Sequence, residues 1–185
     1  MILNPCNLKC GRSAIRRTLY LCRMKILMVC LGNICRSPLA EGIMQKKIMD
    51  AGLNWTVEST GTNGFHVGEA PHHLSQKVAK KNGVDISRQI ASRFKKEDLD
   101  QYDIIYAMAG DVVTEMRRLA GANKIAAKTM LFLDELHPGQ NLDVPDPWYG
   151  DEDGYHEVYE LINKTCDSII EKYLVTNNQA NNQNV

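Results

Sequence analysis

The chain has 185 residues, enough for one domain with a substantial core, and its 44% hydrophobic and 24% charged residues are ordinary for a globular protein. Its formal net charge is zero, but five of the 22 basic residues and none of the 22 acidic residues lie in residues 1–23. The rest of the chain therefore has 17 basic against 22 acidic residues, which argues against a nucleic-acid-binding surface.

Residues 1–23 show no clear amphipathic period, and we expect them to be a basic, disordered extension. The first long apolar run, residues 26–32, is far shorter than the roughly 20 residues of a membrane-spanning helix, and the run before it is too short for a secretory signal. We therefore expect a cytoplasmic protein that does not enter membranes. In a reducing cytosol its six cysteines would be free.

Strands and helices alternate through the folded body, which we place at residues 24–174. A continuous apolar run predicts a buried strand at 25–30, and further strands are predicted at 56–60, 102–109 and 128–133. Between and after them, helical periodicity and stop signals predict helices at 38–52, 74–83, 111–121 and 155–174. Residues 175–185 are polar and rich in Asn and Gln, so we expect them to form a disordered tail.

This alternation predicts an α/β fold: a single domain of three layers, with a four-stranded parallel sheet between two layers of helices. Ligands of such sheets bind beyond the carboxyl ends of the strands. Cys30 stands at the carboxyl end of the first predicted strand, directly before the loop "LGNICRS".

The loop at 30–37 has the composition of a phosphate cradle. It enters a helix, whose first amides lack internal partners and carry partial positive charge, and Gly32 and Asn33 tolerate the backbone angles that aim further amides inward. Arg36 adds a planar fork for two phosphate oxygens. Helix amides and a nearby cation favour a thiolate at Cys30, and Ser37 can donate a hydrogen bond to its sulfur.

The stretch "VCLGNICRSPLAEG" resembles the signature of the low-molecular-weight protein tyrosine phosphatases. Further segments of similarity lie at 59–75, 81–87, 94–108 and 144–162, so that the resemblance covers about 24–174. It implies a flavodoxin-like fold of the phosphotyrosine phosphatase I type. It also implies hydrolysis of phosphotyrosine and aryl phosphates through a cysteinyl-phosphate intermediate on Cys30, without a metal or other cofactor. The phosphate-binding residues would be Leu31, Gly32, Asn33, Ile34, Cys35, Arg36 and Ser37.

A proton donor is the second requirement of this chemistry, because a phenoxide leaves more easily when it is protonated. The segment "VPDPWYG" places Asp146 between two prolines, and the resemblance implies that Asp146 is the general acid. Asp143 competes for this role but has no proline after it. Trp148 and Tyr149, together with Phe65, would form the aromatic mouth around the substrate, or else pack as ordinary loop residues.

Supporting roles follow from the same resemblance. Asn33 would hold the loop in its strained shape, and Ser59 would hydrogen-bond to Asn33. Many relatives have a histidine after the position of Ser87, whereas this chain has Arg88, which we leave out of the site.

Cys35 has two compatible interpretations. It is a small residue that fills the back of the loop, or, as the resemblance implies, a redox partner that forms a disulfide with Cys30 and protects it from irreversible oxidation.

We considered metal sites at two places. Cys6 and Cys10 have the gap of a zinc site but no second Cys or His pair at a usual spacing. The cluster of His66, His72 and His73 fits a loop surface better than a metal site. We therefore expect no metal.

Other activities on the same loop remain as alternatives. Arsenate reductases need further redox cysteines around 81–93, and none is present. Arginine phosphatases typically have threonine at the position of Ile34. A phosphocysteine carrier would not need Arg36 with Asp146, and an inactive binding module would have lost one of the key residues. The expected partners are a phosphotyrosine-containing protein, such as a bacterial tyrosine kinase, and inorganic phosphate as product.

Overall fold

The structure is a computed structural model, and it describes residues 23–121 and 127–182, with side chains described up to residue 174. The basic segment at 1–22, including Cys6, Cys10 and Cys22, lies outside the described residues, as do residues 183–185. Among the described helices, none is both long and apolar enough to span a bilayer.

Four parallel strands form one sheet: β1 (Met24–Cys30), β2 (Trp55–Gly61), β3 (Ile104–Ala107) and β4 (Thr129–Leu131). Their order across the sheet is β2-β1-β3-β4, the start of the flavodoxin-like order. Met24 pairs with Trp55 and Ile26 pairs with Ile104, so β1 lies in the centre. The predicted α/β class and parallel sheet are confirmed.

The helices are α1 (Arg36–Asp50), α2 (His73–Lys81), α3 (Asp98–Gln101), α4 (Gly110–Ala120) and α5 (Glu152–Asn182). Short 3-10 helices lie at Phe132–Glu135 and Pro147–Tyr149. Alternate residues of β1 face opposite layers, because side chains alternate along a strand. Ile26 and Met28 pack with α1, α2 and α5, whereas Leu27 and Val29 pack with α3 and α4. The three layers are therefore present.

Several element boundaries differ from the sequence-based prediction. α1 begins at Arg36, two residues earlier than predicted, so that Arg36 and Ser37 lie in its first turn. The third and fourth strands are shorter than predicted, and the one-turn helix α3 was not predicted. The backbone of α5 stays helical over 175–182, where we expected no structure, because extending an existing helix past Asn and Gln costs little.

The carboxyl ends of β1 and β3 lie side by side at the centre of the sheet, where the chain order reverses. The loop after β1 leads to α1, and the amide of Met108, just after β3, donates to the carbonyl of Val29. Open α/β sheets bind ligands at such a crevice. The topology thus places the Cys30 loop where a binding site is expected.

Candidate active site

The sulfur of Cys30 is buried at the bottom of the loop between β1 and α1. It accepts a hydrogen bond from the Ser37 hydroxyl at 3.0 Å and one from the Asn33 backbone amide at 3.2 Å. Both donors stabilise negative charge on sulfur, because a hydrogen bond to the charged form favours that form. The pairing of Cys30 with Ser37 is the contact that the sequence predicted.

Asn33 holds the loop in a left-handed conformation, with φ of 57°. Its side-chain amide donates to the Ser37 hydroxyl at 2.9 Å and to the Ser59 hydroxyl at 2.8 Å, and its side-chain oxygen accepts the Ser92 amide at 2.9 Å. A non-glycine residue with positive φ persists only where its surroundings hold it. Here the loop, β2 and the segment around Ser92 provide those contacts.

The amino end of α1 is open to an anion. Cys35 occupies the cap position without a side-chain hydrogen bond, and the first turn contains no acidic residue. The unpaired amides and the helix dipole therefore keep their partial positive charge. This end of the helix adjoins the Cys30 sulfur through Ser37, so an anion held there would lie beside that sulfur.

Gly61, the last residue of β2, lets the loop lie close to the sheet. A Cβ at this position would come within 2.8 Å of the Leu31 carbonyl oxygen and 2.9 Å of the Asn33 nitrogen. Both neighbours are backbone atoms that cannot turn aside. Sequence reasoning missed this requirement, because it concerns two segments that are about 30 residues apart.

The guanidinium of Arg36 connects the loop to a second segment of the chain. Its Nη1 donates to the Val144 carbonyl at 3.2 Å, and its Nη2 lies 2.5 Å from Asp146 Oδ2. Arg36 is buried, whereas the Asp146 side chain is 38% exposed. The predicted acid and the predicted phosphate-binding arginine therefore meet across 110 residues of sequence.

The segment of Asp146 is tied to the end of β3. The amide of Val144 donates to the Met108 carbonyl at 2.8 Å, and Asp143 Oδ1 accepts the amide of Gly110, the first residue of α4, at 2.8 Å. Asp143, the competing acid of the sequence analysis, thus has a structural partner. Asp146 Oδ1 accepts the Trp148 amide at 3.1 Å and so caps the short 3-10 helix.

These residues surround a cleft of about 280 Å³. Its lining comprises Cys30, Leu31, Gly32, Ile34, Cys35, Arg36, Asn63, Phe65, His66, Asp146, Trp148 and Tyr149. Phe65 and Tyr149 are 86% and 94% exposed, so they stand at the rim, while Trp148 is 40% exposed. The structure brings together all of the predicted catalytic and mouth residues. Asn33 and Ser37 act from behind the lining, through hydrogen bonds.

Two histidines have a larger part in the cleft than the sequence suggested. His66 lines it: the ring lies against Gly32 and 5.5 Å from the Trp148 ring, and Nδ1 is 2.8 Å from Glu69. His72 lies 5.2 Å from the same Trp148 ring. Both side chains are half-buried rather than fully on the surface, because backbone hydrogen bonds hold the segment 62–72 against the loop at 30–34. The clustering of histidine and aromatic residues at 65–73 was the sequence feature that could have indicated this contact.

The same two histidines do not point to a metal. Within residues 23–121 and 127–182, no group of three or more His, Cys, Asp or Glu side chains is arranged to hold a metal ion. His72 instead stacks on Tyr155 with ring centroids 5.3 Å apart. Burial, and then the neighbouring His73, lower the pKa of His72, so its ring favours the neutral form.

Cys35 is a free, buried cysteine at the amino end of α1 that also contributes to the lining of the cleft. Its sulfur and the Tyr155 hydroxyl share a hydrogen bond of 3.5 Å. Burial is the main cause that raises the pKa of Cys35 to about 11, with smaller contributions from the charges of Cys30 and Asp146. The packing interpretation of Cys35 fits this geometry, and the disulfide with Cys30 stays a prediction.

The segment 87–93 explains why Arg88 has no place in the site. Arg88 is exposed, and the contact to Asn33 comes instead from the backbone amide of Ser92. Ser92 also donates its hydroxyl to the Ser59 carbonyl at 3.3 Å. A backbone contact leaves no mark in the residue type, so sequence reasoning could not identify Ser92.

Comparisons with known proteins agree with this geometry. The family model for low molecular weight phosphotyrosine protein phosphatase matches residues 25–180. The chain is 32% identical over 149 residues to the human low molecular weight phosphotyrosine protein phosphatase, covering 80% of this chain and 94% of that protein. It is 37% identical over 139 residues to the Schizosaccharomyces pombe phosphatase of the same name, covering 74% and 88%.

Solved structures give the same result. YfkJ from Bacillus subtilis superposes with a TM-score of 0.76 at 30% identity, covering 90% of this chain and 99% of that one. Vibrio vulnificus Wzb in complex with benzylphosphonate has a TM-score of 0.73 at 30% identity, with coverage of 80% and 98%. On the family model and these relatives together, the chain belongs to the low-molecular-weight protein tyrosine phosphatases.

Proposed function

We propose that this chain hydrolyses phosphotyrosine in proteins, and simpler aryl phosphates, through a cysteinyl-phosphate intermediate, with Asp146 as the general acid. One observation carries the proposal: a single cleft holds a cysteine sulfur with two hydrogen-bond donors, a buried arginine, and a partly exposed aspartate that contacts this arginine.

In the first step the phosphate ester enters the cradle formed by the loop and the amino end of α1. The phosphate oxygens accept hydrogen bonds from the loop amides. The guanidinium group of Arg36 moves from Asp146 to the phosphate and binds two of its oxygens. The Cys30 thiolate attacks phosphorus from the side opposite the ester oxygen. The S–P bond forms as the P–O bond to the tyrosyl oxygen breaks.

Asp146 supplies the proton that the tyrosyl oxygen takes as it leaves. The carboxyl group lies at the open side of the cleft, where the aromatic mouth would direct the leaving group. General acid catalysis of this kind typically contributes about 10²–10⁴-fold in rate. The carboxylate that Asp146 becomes is then in place for the second step.

In the second step a water molecule attacks the phosphocysteine, and Asp146 takes its proton. The S–P bond breaks, and inorganic phosphate is released. The hydrogen bonds from Ser37 and from the Asn33 amide stabilise the thiolate as it leaves, as they did when it attacked. The side chains present account for each proton and electron pair, so the mechanism requires no metal or cofactor.

The proposed partner is a phosphotyrosine-containing protein, and a bacterial tyrosine kinase is a specific candidate. We propose the cytoplasm as the compartment, because the reaction needs Cys30 as a reduced thiol.

The test is hydrolysis of an aryl phosphate by the purified protein in the presence of a chelator. We expect turnover by the unchanged protein and none above background by Cys30→Ser. Cys166→Ala is the matched control, because Cys166 is a free cysteine buried in the core away from the cleft. An intact rate in Cys30→Ser would refute the mechanism.

Substrate competition separates the alternatives. Ile34 lines the cleft with an apolar side chain, which suits a phenyl ring better than a guanidinium group. We therefore expect phosphotyrosine to be hydrolysed with a higher kcat/KM than phosphoarginine, and arsenate not to be reduced. The reverse preference would favour an arginine phosphatase.

A further inference from the structure

Beside the cleft, the chain exposes three large apolar side chains, of which only Phe65 lines the cleft itself. Phe65 is 86% exposed, Val67 55% and Ile90 68%. Two backbone hydrogen bonds join their segments, from the Gly68 amide to Ala91 and from the Ala91 amide to Glu69, at 2.9 and 2.8 Å. We call Phe65, Val67, Ile90 and Arg93 the Phe65 ridge. Grouped exposed apolar residues often mark an interaction surface.

Arg93 adds to this ridge a positive charge that forms no ion pair in the described part of the chain. Its side chain lies along Gly64: a Cβ there would be 3.6 Å from Arg93 Cδ and 3.9 Å from Nη1. Arg93 is exposed. Glu115, whose pKa Arg118 and then Arg93 lower, is already bonded by Arg118 at 2.6 and 2.8 Å.

The two rims of the cleft differ in charge. The segment 88–96 that supports the Phe65 ridge contains four basic residues and no acidic one. The Tyr149 rim continues into Asp151, Glu152 and Asp153, of which Glu152 pairs with Lys77 at 2.6 Å. Glu69 near the ridge faces His66. An acidic peptide would therefore be attracted to the Phe65 ridge and repelled by the Tyr149 rim.

We propose that the Phe65 ridge binds the part of a protein substrate that flanks the phosphotyrosine, with an apolar residue on Phe65, Val67 and Ile90 and an acidic residue at Arg93. The proposal rests on the proposed function, because Phe65 belongs both to this ridge and to the lining of the cleft. It adds a preferred substrate class: phosphotyrosine within an acidic and apolar sequence.

The test compares phosphotyrosine peptides in which one flanking position at a time is Asp, Leu, Ala or Lys. We expect Asp at one or more positions to raise kcat/KM over Ala by roughly threefold at low salt, the size of an exposed ion pair. Arg93→Gln should abolish this gain, and Arg93→Glu should transfer it to Lys. The gain should also shrink as added salt screens the charges.

Ile90→Ser should lower kcat/KM for the Leu peptides by roughly fivefold, as partial burial of one side chain would give. The matched controls are Lys46→Gln and Met49→Ser on α1, which remove an exposed charge and an exposed apolar group. Their positions lie about 15–20 Å along α1 from the phosphate loop, and we expect them to change nothing.

Two results would overturn the ridge. One is equal kcat/KM for acidic and neutral peptides; the other is an equal effect of Arg93→Gln on every substrate, including a small aryl phosphate. Failure of the proposed function differs, because it would appear as no aryl phosphate turnover by the unchanged protein. Binding of labelled phosphopeptides to Cys30→Ser, measured by fluorescence anisotropy, tests the ridge without turnover: preference for the Asp peptide supports it, and no preference contradicts it.

Discussion

The loop at 30–37 and the segment of Asp146 meet in one cleft but are built differently. In the loop, the side chains of Asn33 and Ser37 are buried and bonded to each other, and hydrogen bonds to two other segments, at Ser59 and Ser92, fix its shape. In the Asp146 segment, the carboxyl group is 38% exposed and Tyr149 is 94% exposed. The loop that would hold the negative charge of the phosphate is therefore preorganised, whereas Asp146, the proposed proton donor, lies where a leaving group can reach it.

The Arg36–Asp146 pair is the contact between these two regions. On the proposed mechanism it exchanges for a contact between Arg36 and phosphate, so the two regions act in sequence rather than independently. Removing the proton donor should therefore affect catalysis and leave the cradle folded, while damaging the cradle should affect both folding and catalysis.

Asp146→Asn gives the largest expected effect of the variants that retain the nucleophile. The amide keeps the shape of the side chain and cannot donate the proton, so we expect kcat for phenyl phosphate to fall about 10²–10⁴-fold. Rapid-quench kinetics with 32P-labelled substrate should still show phosphoenzyme. Asp143→Asn is the matched control, because Asp143 is a nearby acid bonded to Gly110 rather than to Arg36. An equal loss in both variants would contradict the assignment of the acid.

Asn33→Ala should break the cradle. It removes three side-chain hydrogen bonds and places Ala at positive φ, so we expect both lower activity and a lower free energy of unfolding by urea. Asn141→Ala is the matched control, because Asn141 also has positive φ, 52°, but lies on an exposed loop. The loss at Asn33 should exceed the loss at Asn141 by about 1–3 kcal/mol, the cost of unsatisfied buried groups. Equal losses would mean that only backbone strain matters.

The smallest expected effect concerns the rate at which the Cys35 thiol is modified, measured in the Cys30→Ser variant. A thiol whose pKa is raised to about 11 is protonated at pH 8 and forms the thiolate only as pH approaches 11. Because the thiolate is the reactive form, we expect iodoacetamide to modify Cys35 slowly at pH 8, with a rate that rises with pH. Mass spectrometry of the peptide containing Cys35 measures this. Complete rapid modification at pH 8 would show that Cys35 is less shielded than the cradle geometry indicates.

Site residues that interact with close neighbours in the sequence could be predicted, whereas those that interact with distant residues could not. Cys30, Asn33 and Ser37 form one local loop, and their types and spacing indicated phosphate binding before any fold was known. Asp146 required the family resemblance, because nothing local distinguishes it from a turn residue. His66, Gly61 and Ser92 were missed, since each acts through a neighbour that sequence spacing cannot identify.

The sequence by itself determined the α/β class, the parallel sheet, the place of the Cys30 loop between a strand and a helix, and the family, because these depend on periodicity and on a short local motif. Tertiary structure alone decided the contact of Arg36 with Asp146 and the support of Asn33 by Ser92. Such contacts arise when distant segments are packed together, and the geometry of packing is not encoded in any one stretch of residues.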